Sequence, residues 1–180
     1  MNLNRETRRL FALQYLNREN SDDLVEWAKL SLEAGSDGKN LRILAGLSSP
    51  AYISEAQDYF RRSLKELGLG VPPAKQDINE YNREVVQCLC EYCIDIAEDI
   101  LSQRVTPSVG SREIYKTAMF LLQETDEPLP TWLNRWICIE DELDPDTYEF
   151  LTQTKYEQAV RREAQSLLHS RRANEDKTNL

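Results

Sequence analysis

Residues 77–104 read DINEYNREVVQCLCEYCIDIAEDILSQR, and the apolar side chains in this run decide the fold. Ile78, Tyr81, Val85, Leu89, Tyr92, Ile96 and Ile100 recur at spacings of three and four, which is the period of one face of an α-helix. Strand-type alternation is sustained nowhere in the chain. The spacing therefore predicts a long central helix, and the acids Asp77, Glu80, Glu84, Glu91, Asp95, Glu98 and Asp99 fall between the apolar positions, on the side expected to face solvent.

The same period continues on both sides of this run. Towards the N-terminus, Leu10, Leu13 and Leu16 mark a helix over about 4–16. Leu24, Trp27, Ala28 and Leu32 mark a second, with Ser21 as its cap, Asp22 and Asp23 at the positive end of its dipole and Gly35 as its stop. A short third helix passes through Leu41, Leu44, Ala45 and Leu47. A fourth carries Ile53, Ala56, Phe60, Leu64 and Leu67 on one face and ends at Gly68 and Gly70. Towards the C-terminus, Thr106 to Gly110 breaks the central helix, and Ser111 and Ile114 open the next one, which buries Ala118, Leu121 and Leu122. A helix after Pro130 has apolar residues around most of its circumference: Trp132, Leu133, Trp136, Ile137, Cys138 and Ile139. The last helix is capped by Asp144 or Asp146 and runs through Tyr148, Leu151, Ala159, Val160, Ala164 and Leu167.

These elements predict an all-α protein of about eight helices, arranged as a single-domain array or bundle. Paired antiparallel helices fit a solenoid-like stack as well as a compact bundle. The helical domain spans 1–168, with an internal corner at 68–76 built on Val71-Pro72-Pro73. Residues 169–180 read as a flexible tail, because nothing after Leu168 offers apolar surface to bury. At 41% hydrophobic and 29% charged residues, the 180-residue chain has the composition of a folding domain rather than a disordered one. Its N-terminus carries Arg5, Arg8 and Arg9 with no apolar run behind them. No stretch approaches the roughly 18 apolar residues of a membrane span, so a cytoplasmic location with reduced cysteines is expected.

Residues suited to catalysis are few. His169 is the one histidine and lies at the start of the expected tail, where a general base lacks a rigid setting, so Ser-His and Cys-His chemistry is disfavoured. Carboxylate or lysine chemistry stays open. Cys88, Cys90 and Cys93 suggest a metal or redox centre with Cys138 as a fourth thiolate. On a continuous helix, however, the second and third lie about 200° and 140° round from the first, so the sulfurs diverge. Small buried side chains explain them more simply. Gly35-Ser36-Asp37-Gly38-Lys39 lacks the spacing of a phosphate loop and reads as a helix stop followed by a helix start. Neither a cofactor nor a metal is expected.

Charge distribution is the more informative signal. Residues 124–149 hold nine acids against Arg135, a local net of −8 within a total of −9. Such a face repels nucleic acid and anionic membrane and attracts basic partners. The acids Asp126, Glu127, Glu140, Asp141, Glu142, Asp144 and Asp146, with Trp132 and Trp136 as apolar anchors, form the expected partner-binding site. The competing reading makes both tryptophans core residues beside an acidic helix end. Residues 155–172 carry five bases against Glu157 and Glu163, a surface suited to an acidic patch of the same chain or of a second copy.

Leu24-Val25-Glu26-Trp27-Ala28, Gly35-Ser36-Asp37, the segment Leu41 to Leu47 and the Val105 to Gly110 turn together resemble uncharacterised bacterial all-helical proteins of immunity-like or accessory type. The resemblance implies a binding role. The expected function is a non-catalytic protein-binding module, in its sharper form an immunity- or antitoxin-like neutraliser that holds a basic partner on an acidic face. A structural adaptor or homo-oligomeric scaffold is the alternative, followed by a cysteine-based metal or redox protein or another enzyme.

Overall fold

The computed structural model describes residues 4–48, 51–70, 82–124, 130–143 and 153–178. Among them are eight α-helices and no strand: α1 (Arg5–Tyr15), α2 (Ser21–Glu33), α3 (Lys39–Ala45), α4 (Ile53–Glu66), α5 (Asn82–Leu101), α6 (Pro107–Glu124), α7 (Thr131–Leu143) and α8 (Gln153–Thr178). The all-α class read from the sequence is thus observed. The helices group into two compact units, Met1–Tyr81 and Asn82–Leu180, where the sequence reading preferred one array with a corner. The Val71-Pro72-Pro73 connector lies outside the described residues.

In the first unit α2 packs on α1, α3 and α4, and α3 packs on α4. Phe60 of α4 is completely buried and meets two rings edge-on: Trp27 at 4.8 Å between centroids and 84°, and Phe11 at 6.2 Å and 79°. Each such pair contributes about 0.5–1.5 kcal/mol beyond its buried area. Leu24, Leu41, Leu44, Ala56 and Leu64 close the core around them. The Trp27 indole N–H donates to the buried Thr7 Oγ1 at 2.9 Å, so burial strands neither group.

Local signals fix the helix ends, with one correction. The cap of α2 is Asn20 rather than Ser21. Its Oδ1 accepts from the Asp23 N–H at 2.8 Å while its Nδ2 donates to the Asp23 carboxylate at 2.7 Å, so the amide satisfies two groups where a serine hydroxyl reaches one. Gly35 ends α2 at φ +88°, a left-handed conformation that glycine adopts without penalty. Ile53, assigned to the core by its spacing, stands in the first turn of α4 and is 41% exposed.

The second unit is a four-helix bundle: α5 packs on α6 and α8, α7 packs on α6 and α8, and α6 also meets α8. Val85, Leu89, Ile96 and Ile100 of α5 face Ile114, Ala118 and Leu121 of α6, Leu133 and Trp136 of α7, and Tyr156, Val160, Ala164 and Leu167 of α8 in one buried core. Burying each large apolar side chain is worth about 1.5–3 kcal/mol, which makes this core the main support of the unit. Leu122, expected to be buried, is 57% exposed.

Helix α6 starts four residues earlier than its apolar period suggests. Pro107 takes the first helical position, where its missing N–H costs nothing, and Thr106 Oγ1 accepts from the Val109 N–H at 3.4 Å. Gly110, read as a breaker, lies inside the helix because α5 is so close: a Cβ there would fall 2.5 and 2.6 Å from Ile100 Cγ1 and Cδ1. Helix α8 carries through Thr178, past the expected start of a tail at His169. The ten residues from 169 contain neither proline nor glycine and include the good helix formers Arg171, Arg172, Ala173 and Lys177.

Candidate functional site

Helices α6 and α7 are joined by six residues and pack against each other. Tyr115, in the first half of α6, hydrogen-bonds Asp141, near the end of α7, so the pair is an antiparallel hairpin. The last turn of α6 and the first turn of α7 therefore lie at its tip, and Glu140 and Asp141 lie at its base. About 13 Å of helix, at 1.5 Å per residue, separates Trp132 from Asp141. Trp132 and the acids 140–141 of the expected site therefore lie toward opposite ends of α7.

The base of the hairpin is internally committed. Glu140 is buried and accepts a hydrogen bond from the Tyr156 hydroxyl of α8. Asp141 is exposed and accepts from Tyr115, whose phenol is held above its ordinary pKa by desolvation, by the Asp141 charge and hydrogen bond, and by Glu140. Together these two carboxylates tie α7 to both neighbours, and a third tie follows from Arg135, which lies 3.6 Å from Glu163 of α8. Glu140 is thus a packing residue rather than a surface acid. Asp144 and Asp146 lie outside the described residues, as does the side chain of Glu142.

At the tip the arrangement is open. Trp132 is half-buried, and Leu122, on the last turn of α6, is among the most exposed large apolar side chains of the described residues. Glu124 is exposed beside them, while Asp126 and Glu127 fall in the link outside the described residues. Trp136 is a core residue with 0% exposure, and its indole N–H has no hydrogen-bond partner among the described residues. Of the two tryptophans, Trp132 is the one partly exposed, and Leu122, which the periodicity had assigned to the core, is exposed on the last turn of α6.

The cysteines do not converge. Cys93 is buried, Cys88 and Cys90 are half-buried on α5, and Cys138 is exposed on α7. Burial, with the neighbouring charge of Glu91, raises the Cys90 thiol to about 12. Burial raises Cys93 as well, so neither supplies a thiolate near neutrality. Among the described residues no group of three or more His, Cys, Asp or Glu side chains is placed to hold a metal ion. His169 is exposed on α8. Asp95, counted with the solvent-facing acids of the central helix, is only 7% exposed.

The Gly35–Lys39 segment joins two helices as expected, and the start of α3 is already occupied. The Glu66 carboxylate, from the last turn of α4, accepts from the Asn40 backbone N–H at 2.9 Å. Gly38, the cap residue, has no side chain to do this, and a Cβ there would fall 2.6 Å from Glu66 Oε2. The protein's own carboxylate holds the position an anion would take.

Comparison with protein-family models, with curated proteins and with solved structures finds no match to this chain. Among the described residues no helix is long and apolar enough to cross a membrane.

Proposed function

We propose that this chain is a non-catalytic protein-binding module that takes a basic partner on the tip of the α6–α7 hairpin. One observation carries this reading: Trp132 and the 57%-exposed Leu122 stand at the end of the hairpin where Glu124 is exposed and Asp126 and Glu127 follow in sequence. Tryptophan with an apolar neighbour supplies the desolvated centre that binding energy needs, and the surrounding acids supply attraction and orientation. The mechanism is occlusion: the acidic tip covers a basic surface of the partner, in the sharper form the nucleic-acid-binding surface of a toxin-like protein. The base of the hairpin, with Glu140 and Asp141 spent on tyrosines, holds the tip rigid.

The test begins with capture of partners by the tagged chain from a lysate of its source at low and moderate salt. Binding of the isolated partner is then measured by surface plasmon resonance. Trp132→Ala is expected to weaken binding by about 2 kcal/mol or more, mainly by faster dissociation. Glu124→Lys with Asp126→Lys and Glu127→Lys is expected to slow association and flatten its salt dependence. A partner whose affinity ignores both sets of changes would sink the reading, and a partner without a basic surface would point to the adaptor alternative.

A further inference from the structure

We propose that two copies of this chain associate through α2 of one and α8 of the other. The proposal uses neither Trp132 nor the hairpin tip, so it stands or falls apart from the function proposed above. On α8 the exposed positions Lys155, Gln158, Arg162, Gln165 and His169 follow one another at alternating spacings of three and four and form a single stripe. The stripe contains no acid. Both acids of this part of the helix are drawn off it: Glu163 faces Arg135, and Glu157 accepts from Gln153. Among the described residues Arg162 makes no ion pair.

On α2 the exposed positions Asp22, Glu26, Lys29 and Glu33 follow the same alternation, with Leu30 41% exposed beside them. Glu26 and Glu33 also make no ion pair among the described residues. Laying the two stripes side by side in parallel matches spacing to spacing: Gln158 meets Asp22, Arg162 meets Glu26, Gln165 meets Lys29 and His169 meets Glu33. Every acid then faces a base or an amide donor, and the one lysine of α2 faces an amide oxygen. Like-on-like pairing is less favourable: an antiparallel α8–α8 contact centred on the stripe sets Arg162 against its own copy, and an antiparallel α2–α2 contact sets Asp22 against Glu33 twice, which offsets its two Glu26–Lys29 pairs. Charge complementarity thus selects α2 as the occupant of the α8 face. In a chain of net charge −9 it also favours a second copy over nucleic acid, whose phosphates the rest of the surface repels.

Sedimentation velocity of the full chain over a wide concentration range, at low ionic strength and at about 0.3 M salt, tests the pairing where screening is weak and strong. The wild type is expected to exceed monomer mass with rising concentration at low salt and to return to monomer at high salt. Arg162→Glu and Glu26→Arg are each expected to weaken association about tenfold or more, and the double variant to restore it to within about threefold. Both positions are exposed, so circular dichroism of the variants should match wild type. Arg162→Gln, which removes the charge without reversing it, gives an intermediate loss and serves if the reversal disturbs α8. A wild type that stays monomeric at low salt, reversals without effect, a double variant that fails to recover, or a monomer that binds duplex DNA through α8 would each overturn the proposal.

Discussion

Trp27 and Trp136 each sit at the centre of a helical unit, 3% and 0% exposed, yet among the described residues Trp27 has an acceptor for its indole N–H and Trp136 has none. The first unit pairs that donor with Thr7, reached from α1, twenty residues back along the chain. In the second unit the helices around Trp136 offer it nothing, and Ser111 Oγ on α6 is likewise buried without a partner. A buried polar group left unpaired costs about 1–3 kcal/mol, so the second bundle carries a penalty that the first avoids. Area alone would rank the two tryptophans as equals; the hydrogen-bond inventory separates them.

The largest expected effect is on the first core. Phe60→Ala removes the ring that both Phe11 and Trp27 meet and should cost about 3–5 kcal/mol. Hydrogen exchange read by mass spectrometry should show α1–α4 losing protection well before α5–α8; equal loss in both would deny that the two units respond separately. Next comes Gly110→Ala in the second core, where the new methyl would lie 2.5 Å from Ile100 Cγ1. Overpacking of this kind costs about 1–3 kcal/mol, measurable by urea unfolding, although alanine ordinarily favours a helix.

The tryptophans themselves can be made alike. Thr7→Val removes the acceptor at nearly constant volume and leaves Trp27 in the situation of Trp136, at a cost of about 1–3 kcal/mol. Trp27→Phe strands the Thr7 hydroxyl, whereas Trp136→Phe removes a donor that had no partner. The second substitution should therefore be the milder by about 1–2 kcal/mol in paired unfolding curves. Equal costs would mean that Trp136 has an acceptor in solution.

The smallest effect is a drift with pH confined to the second unit, which holds all four cysteines. Folded Cys90 keeps its proton up to about 12, while an unfolded thiol with the ordinary value of 9.0 releases it three pH units earlier. Proton release thus favours the unfolded chain between about pH 9 and 12. Stability from this group is whole below pH 9 and declines above it, and Cys93 adds to the same trend. Urea midpoints of Cys90→Ala and wild type should converge as pH rises from 8 to 10. At pH 8, Cys138 should be the fast thiol towards a disulfide reagent, being the exposed one.

Helix positions were legible because each carries its own period and punctuation: Leu24, Trp27 and Ala28 with Gly35, or Phe60 and Leu64 with Gly68, need no tertiary information. The candidate site was less legible for the opposite reason. Whether Trp132 or Trp136 faces solvent depends on which side of α7 meets α6 and α8, and an apolar circumference does not say. Glu140 counted as surface charge because a buried carboxylate is announced only by its partner, and Tyr156 lies sixteen residues away. Gly110 read as a break because sequence does not show that Ile100 lies against it. The acids of 126–127 and 144–146 fall outside the described residues, so that part of the reading rests on sequence.

The Glu66 carboxylate at the start of α3 makes one helix depend on another for its end. A seven-residue helix is far below the length that sustains itself in water, and Gly38 gives it no cap of its own. The missing cap arrives from the last turn of α4, twenty-six residues further on, so the first turn of α3 is completed by a helix that lies beyond it in the chain. In a chain that emerges from the ribosome N-terminus first, this segment is made before the residue that caps it.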